Sequence, residues 1–254
     1  MILIAARGLA IGYGRTRIAG DLDLSVIAGS VTCLLGPNGV GKTTLFKTLL
    51  GLLPPLSGAV EIDGDDLSRL DRQTIARHIA YVPQAHIAEF PYSVIDLVVM
   101  GRTAHLGAFG GPRRMDYEAA MAALDQLGIA ALAERDSTRI SGGQRQLVLI
   151  ARALAQRTRI IMMDEPTASL DFGNRIRVLD TIRALSRSGL AVVLSTHEPE
   201  HAFVVADQVA ILGQDRFATG PVEAVMTSQQ LSHLYGIELK VERTPSGRFV
   251  VGPA

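Results

Sequence analysis

The chain has 254 residues, of which 48% are hydrophobic and 20% charged, with 25 basic side chains balanced by 25 acidic ones. That composition suits one compound globular domain with a large core; it excludes a disordered chain and gives no electrostatic case for general nucleic-acid binding. A single cysteine, Cys33, excludes an internal disulfide framework and a cysteine-rich zinc site.

In chain order, residues 1–7 carry no basic segment ahead of their short apolar stretch, so they are expected to form a strand and not a signal peptide. No run reaches bilayer-spanning length, and any membrane role is expected to come through a partner. Gly12, Gly14, Gly20 and Gly29 punctuate short apolar pieces such as residues 22–26, which predicts antiparallel strands joined by turns. Residues 31–35 are a continuous apolar run ending at a glycine, expected as a strand buried on both faces with Cys33 inside it. Residues 43–51 read as a helix, ended by Gly51 and the Pro54-Pro55 pair. Residues 58–84 return to short strands and one short helix.

Residues 85–157 change character. An irregular stretch at 106–114, rich in Gly and Arg, precedes an alanine-rich helix at 117–127 closed by Gly128, and a second helix is expected at about 143–156. From residue 158, strands at 159–163, 190–195 and 208–212 alternate with helices at 174–188 and 199–206. Such alternation predicts a mainly parallel sheet flanked by helices. The chain beyond residue 214 reads as a hairpin, a short helix near 228–235 and a strand-like tail. There is no internal repeat and no low-complexity tract.

Gly36-Pro37-Asn38-Gly39-Val40-Gly41-Lys42-Thr43 matches the phosphate-loop pattern G-x-x-x-x-G-K-[ST] between an expected strand and an expected helix. Glycines let successive backbone N–H groups turn inward around a phosphate, Lys42 adds a point charge, and the helix N-terminus adds a favourable partial charge. The Thr43 hydroxyl is a candidate Mg²⁺ ligand. A metal partner is offered by the run Ile160-Ile161-Met162-Met163-Asp164-Glu165, a buried strand ending in two acids. Asp164 suits the Mg²⁺ shell and Glu165 suits polarising an attacking water.

With Ser141-Gly142-Gly143-Gln144 added, the sequence resembles an ABC-transporter ATPase over nearly its whole length, with the motifs in the family's order. Tyr13 resembles the aromatic that stacks on adenine, Gln84 the Q-loop glutamine, and residues 140–144 the signature motif, with Ile140 where leucine is commoner. Residues 165–171 resemble the end of Walker B running into the D-loop, and His197 resembles the switch histidine. The resemblance implies an α/β fold: a P-loop NTPase core with an antiparallel β subdomain (residues 1–84 and 158–254) and a helical signature subdomain (residues 85–157), together one ABC ATPase domain. It implies ATP and Mg²⁺ as ligands. Nucleotide contacts would come from Tyr13, Asn38, Gly39, Gly41, Lys42, Thr43, Thr44, Ser141, Gly143, Gln144 and Asp171. Glu165, His197 and Gln84 would serve catalysis, and Thr43, Gln84 and Asp164 the metal.

The resemblance further implies a head-to-tail homodimer on the cytoplasmic face of the inner membrane, bound to a separate permease and served indirectly by a substrate-binding protein, with no nucleic-acid partner. Residues 90–103 resemble the corresponding segment of importers for metal chelates: iron–siderophore, haem, cobalamin and some molybdate systems. A soluble scaffold ATPase of the iron–sulfur assembly type and an exporter ATPase remain open. A zinc protease is the remote alternative, because residues 197–201 fit H-E-x-x-H. Against it, Pro199 belongs in the first helical turn, which puts His197 ahead of the helix and loses the i,i+4 pairing of the histidines.

Overall fold

The computed structural model describes residues 1–84, 91–106, 110–214 and 216–254; Phe90, and residues 107–109 of the Gly- and Arg-rich stretch, lie outside the described residues. In chain order the elements begin with β1 (Ile2–Tyr13), β2 (Thr16–Ile27), β3 (Val31–Leu35), α1 (Lys42–Leu49), β4 (Ser57–Ile62) and β5 (Asp65–Asp66). There follow α2 (Arg72–His78), β6 (Ile79–Val82), α3 (Val94–Val99), α4 (Arg114–Gln126), α5 (Gly142–Ala155), β7 (Ile160–Met163) and α6 (Phe172–Arg187). The chain ends with β8 (Ala191–Thr196), α7 (Pro199–Val205), β9 (Gln208–Leu212), β10 (Phe217–Pro221), α8 (Val222–Val225), α9 (Ser228–Tyr235), β11 (Leu239–Arg243) and β12 (Phe249–Pro253). Among the described residues no helix is long and apolar enough to cross a membrane. Contacts divide the chain into two compact units, Met1–Leu70 with Ile182–Ala254, and Asp71–Thr181, so the division falls inside α6.

In the first unit, β1 pairs antiparallel with both β2 and β4. Gly14 and Gly29 adopt positive φ at turns. Gly12 and Gly20, expected to break the strands, instead lie within them. The Thr16 carbonyl sits where a Cβ on Gly12 would be, and the Arg17 guanidinium where one on Gly20 would be. Each glycine thus serves close approach inside a strand, where register shifts interrupt the ladder. The apolar run Val31-Thr32-Cys33-Leu34-Leu35 is buried throughout, as is β8. Both faces are covered because β3 is a central parallel strand, flanked by β8 and β9. The antiparallel β10 closes on β9, and β11 and β12 form a separate hairpin.

In the second unit β6 runs parallel to β7. A cluster of buried side chains, including Val94, Val98, Ala120, Leu124, Val148 and Ala151, is enclosed by α3, α4 and α5. Alanines on α4 allow close helix packing and Leu124 fills the gap. α4 starts at Arg114, ahead of the expected 117, because Asp116 accepts the Arg113 N–H at 3.0 Å. The other Asp116 oxygen receives the buried Arg102 guanidinium at 3.0 Å, and Arg102 also donates to the Ala155 carbonyl at 2.9 Å. This ties the turn after α3 to the end of α5. Leu124 is fully buried, so Leu124→Ala is expected to lower stability by about 3 kcal/mol through transfer and cavity terms together, read as a shifted midpoint in urea unfolding.

Candidate nucleotide-binding site

In the first unit, the end of β3 aligns with the end of β8, Leu35 opposite Thr196. The next N–H, that of Gly36, donates to the Thr196 carbonyl at 3.3 Å. The loop that follows is built by glycines. Gly39 and Gly41 have φ of 81° and 113°, conformations that cost an L side chain steric energy. A Cβ on Gly36 would stand 2.5 Å from the Leu212 carbonyl oxygen, and one on Gly41 2.6 Å from Ile18 Cγ2. Gly41 caps α1 with no side-chain bond, and the N-terminus of a helix favours an anion.

Lys42 is buried, and its Nζ donates to the carbonyls of Gly36 at 2.7 Å and Pro37 at 3.2 Å. The ammonium is therefore folded back over the loop it belongs to. Asn38, Gly39 and Thr43 are exposed, while Thr44 is buried on the other side of α1. Tyr13 is about half exposed at the end of β1; Ile11, two residues earlier, comes within 3.8 Å of the Cβ position on Gly41.

His197 leaves β8 directly after Thr196, next to the start of the loop. α7 begins at Pro199 with Glu198 as its N-cap, so His197 lies before the helix, as the proline implied. The rest of the H-E-x-x-H pattern fastens the turn. His201 is buried, with Nδ1 3.2 Å from Thr196 Oγ1 and Nε2 3.3 Å from a Glu198 oxygen. Thr196 Oγ1 also accepts the Glu198 N–H at 3.0 Å. Tyr235, which sequence reading missed, donates its hydroxyl to the His197 carbonyl at 2.7 Å.

In the second unit, the Asp164 N–H donates to the Val82 carbonyl at 2.9 Å, which extends the β6–β7 ladder past its last pair and brings Asp164 near the segment carrying Gln84. Gln84 itself is exposed. The Tyr81 hydroxyl donates to Asp164 Oδ2 at 3.4 Å. Burial, then the Asp164 charge and that bond, push the Tyr81 pKa up to about 12, so the phenol stays a proton donor to the carboxylate. Glu165 sits at φ 48° and Ser169 at φ 61°, a left-handed backbone that turns the chain sharply after β7.

Ser141 caps α5 in a reciprocal box: the Gln144 N–H donates to Ser141 Oγ at 3.2 Å, and the Ser141 N–H to Gln144 Oε1 at 3.0 Å. Gln144 therefore stabilises the helix tip locally, while the amides of Gly142 and Gly143 have no intrahelical partner by the geometry of an α-helix. Asp171 caps α6. It takes the Asn174 N–H at 2.8 Å and Asn174 Nδ2 at 2.7 Å, and the backbone bond, then the side-chain bond, hold its carboxyl below the usual range. Because the folded pKa is depressed, this cap supports the fold at neutral pH and is lost as pH falls through that pKa.

Asn174, also missed from sequence, has its side-chain end where a Cβ on Gly143 would be, so the Ser141 tip and the Asp171 turn are packed together. Gly41→Ala combines the 113° φ with the Ile18 contact; it is expected to cost about 2 kcal/mol and to weaken ATP binding, measured by thermal unfolding with and without ATP.

Comparison with known proteins gives this geometry its family. Residues 19–168 match the family model described as ABC transporter. An ABC transporter ATP-binding protein of Haemophilus influenzae is 44% identical over 92% of this chain and 90% of its own length. The molybdate import ATP-binding protein MolC of the same organism is 37% identical over 86% of this chain and 82% of its own. A solved chain from a metal-chelate type ABC transporter in an inward-facing conformation superposes with a TM-score of 0.88 at 33% identity, covering 99% of this chain and 96% of that one. The chain belongs to the ABC transporter family, as an ATP-binding member whose ATP hydrolysis is coupled to transport.

Proposed function

We propose that two copies of this chain close head to tail around ATP and drive import of a metal-chelate class cargo, such as an iron–siderophore, haem or cobalamin, through a separate permease fed by a substrate-binding protein. The assembly would sit at the cytoplasmic face of the inner membrane. The observation that carries the ATPase reading is the glycine-built loop that ends on the N-terminus of α1, with the Lys42 ammonium folded against it. Support for the cargo class comes from relatives named for molybdate, cobalamin and hemin import and for iron chelatin transport, at 36 to 39% identity, and from the metal-chelate type structure. A relative named for manganese transport widens the class to metals.

Residues 1–84 and 158–254 act as the nucleotide-binding core and 85–157 as the helical subdomain. Tyr13 stacks on adenine. The amides from Asn38 to Thr44 and the Lys42 ammonium hold the phosphates. The donors offered to Mg²⁺ are the Thr43 hydroxyl, the Gln84 amide oxygen and the Asp164 carboxylate, an all-oxygen set that fits a hard cation. When bound, the ion neutralises charge on the β and γ groups. Glu165 polarises the attacking water, and His197 hydrogen-bonds the γ-phosphate. The Ser141 hydroxyl and the amides at the tip of α5 meet the γ-phosphate bound by the other copy.

ATP therefore adds contacts across the dimer that ADP lacks, and this differential affinity is what moves the permease. Asp171 reaches the other copy through its turn, while its carboxylate caps α6. Residues 90–103, within which Arg102 bonds the Ala155 carbonyl, supply the face for the permease.

Glu165→Gln is expected to reduce turnover by at least about a hundredfold while ATP binding persists and the dimer becomes more stable; phosphate release and size-exclusion chromatography with ATP measure both. Affinity purification of the tagged chain from solubilised membranes is expected to recover a permease of the metal-chelate class. Recovery of an exporter, a soluble scaffold or a permease of another class would overturn the cargo assignment.

A further inference from the structure

We propose that Tyr235 is a positioning residue for His197, acting from the C-terminal segment on the peptide bond that follows the histidine. This rests on the reading of His197 as the γ-phosphate contact. The peptide unit between His197 and Glu198 is held at both polar groups. Its carbonyl accepts the Tyr235 hydroxyl at 2.7 Å, and its N–H donates to Thr196 Oγ1 at 3.0 Å. A peptide unit is planar, so bonds at its C=O and N–H together define its orientation and with it ψ of His197. On the other side of His197, the Thr196 carbonyl takes the Gly36 N–H at 3.3 Å. The histidine is thus suspended between the first residue of the phosphate loop and the hydroxyl of Tyr235.

Tyr235 is itself placed by the C-terminal segment and lies outside the residues matched by the family model. It is the last residue of α9, which is capped by Thr227 at its start and by Gly236, with φ 68°, at its end. β11 is fastened along α9: the Leu239 N–H donates to Ser232 Oγ at 2.8 Å and the Val241 N–H to Ser228 Oγ at 2.9 Å. On β12, Phe249 stacks on Phe203 of α7 with ring centroids 4.8 Å apart, and the Arg243 guanidinium lies 5.5 Å above the Phe249 ring. The C-terminal segment therefore grips both the turn that contains His197 and the helix that follows it.

A hydrogen bond to a transferring phosphoryl group depends on sub-ångström placement of the donor. ATP affinity, in contrast, is set mainly by the amides of the phosphate loop. Loss of the Tyr235 hydroxyl is thus expected to slow turnover and to leave ATP affinity unchanged. Tyr235→Phe is the suitable variant, because it keeps the half-buried ring and removes only the donor.

The test is a double-mutant cycle on the full chain assembled with its permease: parent, Tyr235→Phe, His197→Ala and the double variant. Turnover is read with radiolabelled ATP under single-turnover conditions, so that slow variants stay measurable, and is expressed per mole of ATP-binding-competent protein. Tyr235→Phe is expected to lower the rate about fivefold at unchanged KM for ATP, and to cause no further loss once His197 is alanine. Parental turnover in Tyr235→Phe beside a slow His197→Ala would overturn this inference alone. So would an equal loss in both backgrounds, since the hydroxyl would then act independently of the histidine. Parental turnover in His197→Ala would remove the role of the histidine itself, and this inference with it.

Discussion

A phosphate can be held by main-chain amides only where the chain turns its N–H groups to one side and brings no side chain between them. That constraint governs the first unit. Gly39 and Gly41 supply the left-handed backbone, and Gly36 and Gly41 supply the missing Cβ atoms. Leu212 at the end of β9 and Ile18 on β2 press directly on the bare glycines. The β3 strand that delivers the loop is buried on every residue and paired on both sides. Rigid parallel strands on either side of a glycine turn turn a flexible sequence into a fixed cradle.

The second unit answers a similar demand differently. Helix starts here are closed by side chains that satisfy local amides: Asp71 for α2, Ser93 for α3, Ser141 for α5 and Asp171 for α6. At α5 the cap is reciprocal. The Ser141–Gln144 box settles the outer amide positions, and the two glycines of the first turn leave its backbone without side chains there. Asn174 then fixes that tip to the turn at Asp171, because its amide bonds the carboxylate and its end abuts Gly143. A displacement of the Asp171 turn must therefore be felt at Gly143.

How far the sequence was legible follows from the range of each signal. The phosphate-loop pattern, the acid pair after β7 and the Ser141 motif are short runs, each complete within a few residues, and the family was readable from them without a structure. The alternating strands and helices beyond residue 158 were readable too, because burial of parallel strands forces continuous apolar runs. Gly12 and Gly20 misled because a glycine that makes a turn and a glycine that admits a neighbour look the same in sequence. The start of α4 was misplaced because its cap is an aspartate inside the helix, not a residue before it. Asn174 and Tyr235 left no signal at all. Their partners, Gly143 and His197, lie far away along the chain, and only packing brings them together.

The H-E-x-x-H run shows why residue types alone do not decide chemistry. On a continuous helix the two histidines would share a face and present nitrogen to a metal. Here Pro199 opens the helix, so the first histidine lies in the turn after β8 and the second in the core. His201 spends both ring nitrogens on Thr196 and Glu198, and these contacts shape the turn in which His197 sits. The second histidine and the glutamate thereby become supports for the first. The two histidines that could have shared a metal are parted instead: His201 and Glu198 shape the turn that carries His197, and a single proline at the helix start separates the two outcomes.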